Sequence, residues 1–295
     1  MESLMNIAWQ AARFGLTLIG ISAKVIAILF FLHAAISLAL APWVVGAEIM
    51  GLVGFGLALA IAAIYLGVVR YAFITQSEDM VIQIAFVIFS IVVCQLVYAH
   101  PATLEKLLTA FSRITPGVLL AGCGVFLIGG TLNAVAFGGA GRWVFSVLAV
   151  AAMLGAILLT LEVTQSAGDI PIPALLRNSP LYSYPRISAV GLGCLSVMFL
   201  ELSLRQTAVR FHDSPTREYV QRALGYHVIA AAIVLGIDYF LQFHTVKPMI
   251  VIGDHGFDTA AISASAVICL LAAIDGLWLS RAVAGARDLI NPQRA

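Results

Sequence analysis

Residues Leu16 to Ala41 read LTLIGISAKVIAILFFLHAAISLALA, and Lys24 is the one Lys, Arg, Asp or Glu among them. A helix rises about 1.5 Å per residue, so a run of this length crosses the roughly 30 Å hydrocarbon core of a bilayer with residues to spare. Arg13 precedes the run and Ala39-Leu40-Ala41 closes it, which superficially matches a signal-peptidase site. The run exceeds the roughly 7 to 15 residues of a signal h-region, and Pro42 follows the would-be cut, so an uncleaved first span is expected.

The remainder of the chain repeats this pattern. Of 295 residues, 61% are hydrophobic and 11% charged, against roughly 25% charged in a soluble domain; the mean hydropathy is +1.02. Short alternating segments of a transmembrane β-barrel are absent. The reading is an all-α polytopic integral membrane protein, one transmembrane domain over 1–295. Eight spans are expected, at about 16–41, 50–70, 80–99, 116–137, 143–165, 187–208, 223–243 and 258–281. A net charge of +1 implies no long-range attraction to nucleic acid, which leaves the lipid bilayer, and a second copy or other membrane subunits, as the expected partners.

Lysine and arginine set the orientation. With the N-terminus inside, the inner connections collect Arg13, Arg70, Arg142, Arg205, Arg210, Arg217, Arg222, Arg281, Arg287 and Arg294, against Lys106, Arg113, Arg177, Arg186 and Lys247 outside, ten to five. Both ends are therefore expected in the cytoplasm and the protein in the plasma membrane, the inner membrane of a bacterium.

Between the spans, Leu104, Leu107, Leu108 and Phe111 recur at helical spacing, so 101–114 reads as a short amphipathic helix lying in the outer interface. Residues 166–186, with Pro171, Pro173, Pro180 and Pro185, read as an extended outer loop. Gly117, Gly122, Gly124, Gly129 and Gly130 suit close helix packing in the span at 116–137, and the glycines of Phe137 to Arg142 (FGGAGR) suit a tight turn. Cys94, Cys123, Cys194 and Cys269 fall one per apolar segment and read as small buried hydrophobes.

Four acids intrude into apolar segments. Glu162, Glu201, Asp238 and Asp275 stand 39, 37 and 37 residues apart, and a charge at the bilayer centre costs about 2.5 to 3.5 kcal/mol on insertion scales. Because successive helices reverse direction, Glu162 and Asp238 fall toward the outer surface and Glu201 and Asp275 toward the inner one. Two stations are expected rather than one cluster. Arg205, four residues after Glu201, is positioned for an i,i+4 pair. Lys24, deep in the first span, calls for a carboxylate from another helix, and Asp238 or Asp275 would serve. His33 reads as a hydrogen-bonded core histidine.

The connection His244 to Asp258, HTVKPMIVIGDHGFD, gathers polar groups at the outer surface. Asp254, His255 and Asp258 suit a divalent ion, while His244, Met249 and His255 suit copper; Gly253 and Gly256 read equally well as turn residues. A metal ion at this loop is thus a cofactor candidate, and no other cofactor is expected. No HExxH, GxSxG or P-loop pattern is present.

The segment Phe111 to Val135, FSRITPGVLLAGCGVFLIGGTLNAV, resembles a span of the copper-resistance D family of polytopic membrane proteins. That family's histidine, tryptophan and glycine cluster is missing from the neighbouring span, and no membership is assigned. The function expected from the acids is a small membrane transporter or an ion- or proton-translocating subunit. The alternative is a scaffold or assembly subunit of a secretion or envelope complex, and a metal-handling membrane protein is a third reading. An intramembrane enzyme using Asp or Glu alone shares this third place, and a non-enzyme is the leading expectation.

Overall fold

The structure is a computed structural model, and it describes residues 2–45, 101–136, 139–164, 184–243, 249–252 and 255–290. Among the described residues six helices follow one another: α1 (Glu2–Val45), α2 (Pro101–Val135), α3 (Ala140–Thr164), α4 (Pro185–Arg210), α5 (Ser214–Phe243) and α6 (Thr259–Leu289). Strands β1 (Met249–Ile252) and β2 (His255–Asp258) form an antiparallel hairpin before α6. Each helix holds a stretch long and apolar enough to cross a membrane, from Asn6–Ser37 in α1 to Ala264–Leu289 in α6. The chain is a helical, multi-pass integral membrane protein. Six of the expected spans coincide with these helices; those at 50–70 and 80–99 lie outside the described residues, as do 166–183 of the expected outer loop, whose last two residues, Pro185 and Arg186, already belong to α4.

The ends of the helices have local causes. α2 is continuous over 35 residues, so the expected short helix at 101–114 runs without a break into the apolar stretch Thr109–Val135. Pro116 lies inside this helix. It removes one backbone donor, and the neighbouring Thr115 hydroxyl donates to the Phe111 carbonyl at 2.6 Å. Gly139 adopts φ +110°, a conformation glycine alone enters freely, and its carbonyl accepts the Trp143 N–H to start α3. α4 begins at Pro185 in its first turn, where the missing N–H costs nothing. It ends in a Schellman motif: the Asp213 N–H reaches the Ala208 carbonyl and the His212 N–H reaches that of Val209. Asp213 then caps α5 by accepting the Thr216 N–H at 2.9 Å, which starts α5 nine residues before the expected span.

The chain divides into two compact units. The first comprises Met1–Ile28, Pro116–Gln242 and Leu271–Ala295, the second Leu29–Thr115 and Phe243–Leu270. In the second unit the His33 Nε2 lies 3.2 Å from the Ser265 hydroxyl, so His33 is hydrogen-bonded as expected. In the first, Leu16, Ile19 and Ala23 of α1 meet Phe126 of α2, Ala149 and Met153 of α3, Leu200 and Leu204 of α4, Val220 of α5 and Leu279, Ala282 and Val283 of α6.

Small residues bring these helices close. A Cβ built on Gly129 would lie 2.6 Å from the Gly15 carbonyl, and one on Gly122 would strike the Ile26 side chain; Gly117 and Gly124 meet nothing within 4 Å. Packing therefore explains Gly122 and Gly129 and leaves the other two unexplained.

Candidate functional site

Three titratable side chains from three helices converge in the first unit. His227 of α5 is buried, with 4% exposure. Its Nδ1 lies 2.7 Å from the Asp275 Oδ2 of α6, and its Nε2 lies 2.8 Å from the Cys194 carbonyl of α4. Both ring nitrogens thus face oxygen acceptors. Two N–H donors satisfy them when Asp275 is ionised; a neutral ring satisfies them only if Asp275 carries the proton. In either case one proton lies between Nδ1 and the carboxylate.

Glu201 is the third group. It is fully buried, within electrostatic reach of His227 and Asp275, and neither of its carboxyl oxygens has a hydrogen-bond partner among the described residues. The expected Glu201–Arg205 pair is not formed: the Arg205 Nε is also buried and unpartnered among the described residues. Aromatic rings close the cluster, with Tyr219 and Tyr226 packed on Trp278 at 5.0 and 6.4 Å between centroids. The Tyr226 hydroxyl donates to the Leu271 carbonyl at 3.4 Å.

Asp238 lies apart from this cluster. Its Oδ1 accepts from the Arg186 guanidinium at 2.7 Å, joining the end of α5 to the first turn of α4. Lys24, the partner weighed for it in the sequence, is exposed and makes no ion pair with a described residue. His227 and Asp238 are eleven residues apart, so they share one face of α5 and differ by about 16 Å in height. Both are buried. Glu162 stands in the last turn of α3, and its side chain lies outside the described residues.

The hairpin sets Met249 opposite Asp258 and His255 opposite Ile252; His244 and Asp254 lie outside the described residues. Among the described residues no group of three His, Cys, Asp or Glu gathers as metal ligands.

Sequence reasoning missed His227. Its signal was depth: His227 enters its span from the same side, and about as far, as Glu201 and Asp275. It also missed a second buried network. Arg142, counted as a loop charge, has 1% exposure. It donates to the Thr207 hydroxyl at 3.0 Å, to the Asn133 side chain at 2.6 Å, and to the backbone carbonyls of Asn133 and Ala136. Those carbonyls are the orphan acceptors at the end of α2, so Arg142 caps that helix from the start of α3. Asn133, Ser146 and Ser203 continue the network into α4.

No family model matches the chain, and neither a curated protein nor a solved structure matches it.

Proposed function

We propose that the chain is a small membrane transporter or ion-translocating subunit that moves protons, with Glu201, His227 and Asp275 as one station and Asp238 with Arg186 as another. The observation that carries the reading is the Glu201 carboxyl, fully buried and without a hydrogen-bond partner among the described residues, within electrostatic reach of a histidine–aspartate pair. A buried polar group without partners costs about 1 to 3 kcal/mol or more, and intramembrane acids kept at such a cost mark ion pathways. The His227–Asp275 contact of 2.7 Å leaves no space for a metal ion between them, which favours a proton over a larger cation. The proposed setting is eight spans in the plasma membrane, the inner one in a bacterium, with both ends cytoplasmic. The ten-to-five distribution of basic residues supports that orientation.

Proteoliposomes test the proposal. Under an imposed pH gradient, Glu201→Gln and Asp275→Asn should each reduce proton flux to that of empty liposomes, while Lys24→Gln should leave it unchanged. Flux retained in the Glu201→Gln/Asp275→Asn double variant overturns the proposal and favours a scaffold role.

A further inference from the structure

Two guanidinium groups lie against one indole in the first unit, and a third arginine follows that indole on its own helix. Arg142 lies 5.0 Å from the centroid of the Trp9 ring and Arg210 lies 5.5 Å from it. Arg13 follows Trp9 by one helical turn on the same face of α1. Arg142 and Arg210 are close enough to repel each other, and among the described residues no carboxylate forms an ion pair with any of the three. Asp213, three residues after Arg210, is engaged in capping α5. Cation–π attraction and the carbonyls of α2 offset the charge of Arg142. They leave the exposed Arg210 and the half-buried Arg13 without a carboxylate partner among the described residues.

The location identifies the missing anion. Trp9 stands near the start of the membrane-crossing stretch of α1, Arg142 at the start of α3 and Arg210 at the end of α4. This is the level at which tryptophan rings sit among lipid headgroups. We infer that Arg13, Trp9 and Arg210 form a binding site for one phosphate-bearing anionic headgroup, and that the lipid is the source of the phosphate. The guanidinium groups of Arg13 and Arg210 each present a planar donor fork that matches phosphate oxygens, the indole covers the glycerol end, and the fixed charge of Arg142 adds long-range attraction. The site is independent of the proton-moving reading, because lipid retention and ion flux are measured separately.

The test uses the full chain, purified in mild detergent, stripped of lipid and titrated in native mass spectrometry with phosphatidylglycerol, phosphatidylcholine or inorganic phosphate. Phosphatidylglycerol should bind more tightly than phosphatidylcholine. Arg13→Gln and Arg210→Gln should each weaken it about fivefold, as expected for one basic residue at an anionic surface, and Arg210→Lys should weaken it less than Arg210→Gln. Arg217→Gln, which removes an exposed charge with no described contact to Trp9, should leave the affinity unchanged. Three results would overturn the site: phosphatidylcholine binding as tightly as phosphatidylglycerol, an Arg217→Gln loss equal to that of Arg210→Gln, or an unaffected Arg13→Gln/Arg210→Gln double variant. Inorganic phosphate binding with the same arginine dependence overturns the lipid as the source.

Discussion

At the scale of single residues, polar groups have found partners that hydropathy does not register. His212 holds a left-handed backbone conformation, φ 54°, at the position in the Schellman motif that glycine usually fills. Relief of that strain should make His212→Gly more stable by about 0.5 to 1 kcal/mol, read as a higher Tm of the purified protein in detergent. Arg142 is the opposite case. Its removal in Arg142→Met uncovers the carbonyls at the end of α2 and strands the Asn133 side chain, and should cost on the order of 3 kcal/mol. An unchanged Tm would show that α2 does not depend on this cap.

At the scale of elements, close approach decides which small residues matter. Gly15 and Gly129 let the backbones of α1 and α2 meet, and a Cβ on Gly129 would also lie 2.7 Å from Ile19 Cγ1. Gly129→Ala should therefore destabilise by about 1 to 3 kcal/mol through overpacking. Gly124, with open space around its Cα, should accept alanine at no cost or with a gain of about 0.5 kcal/mol from the stiffer helix. Equal effects at the two positions would mean that the helices do not cross at Gly129. Both glycines read alike in the sequence; which turn faces α1 is set by helix rotation.

At the scale of the whole molecule, the span count determines which surface each connection reaches. With eight spans and an inner N-terminus, the connection near Ser77 faces the cytoplasm. With only the six described helices crossing, it would lie on the outer side with Lys106. Ser77→Cys, in a background whose native cysteines are alanine, should resist a membrane-impermeant thiol reagent in intact cells and react after permeabilisation. Labelling in intact cells would exclude the eight-span arrangement.

The apolar runs alone determined that the chain crosses a membrane repeatedly as helices, because bilayer thickness converts directly into run length. Depth along those runs also separated Asp238 from Glu201 and Asp275. Only the tertiary structure paired His227 with Asp275, Asp238 with Arg186, and Arg142 with the end of α2, and only it withheld Arg205 from Glu201. The physical reason is the solvent. In water the buried face of a helix is marked by contrast with a polar one, but lipid tails are as apolar as a protein core. Hydropathy therefore reports how far a residue lies from the surface and is silent on which neighbour it faces.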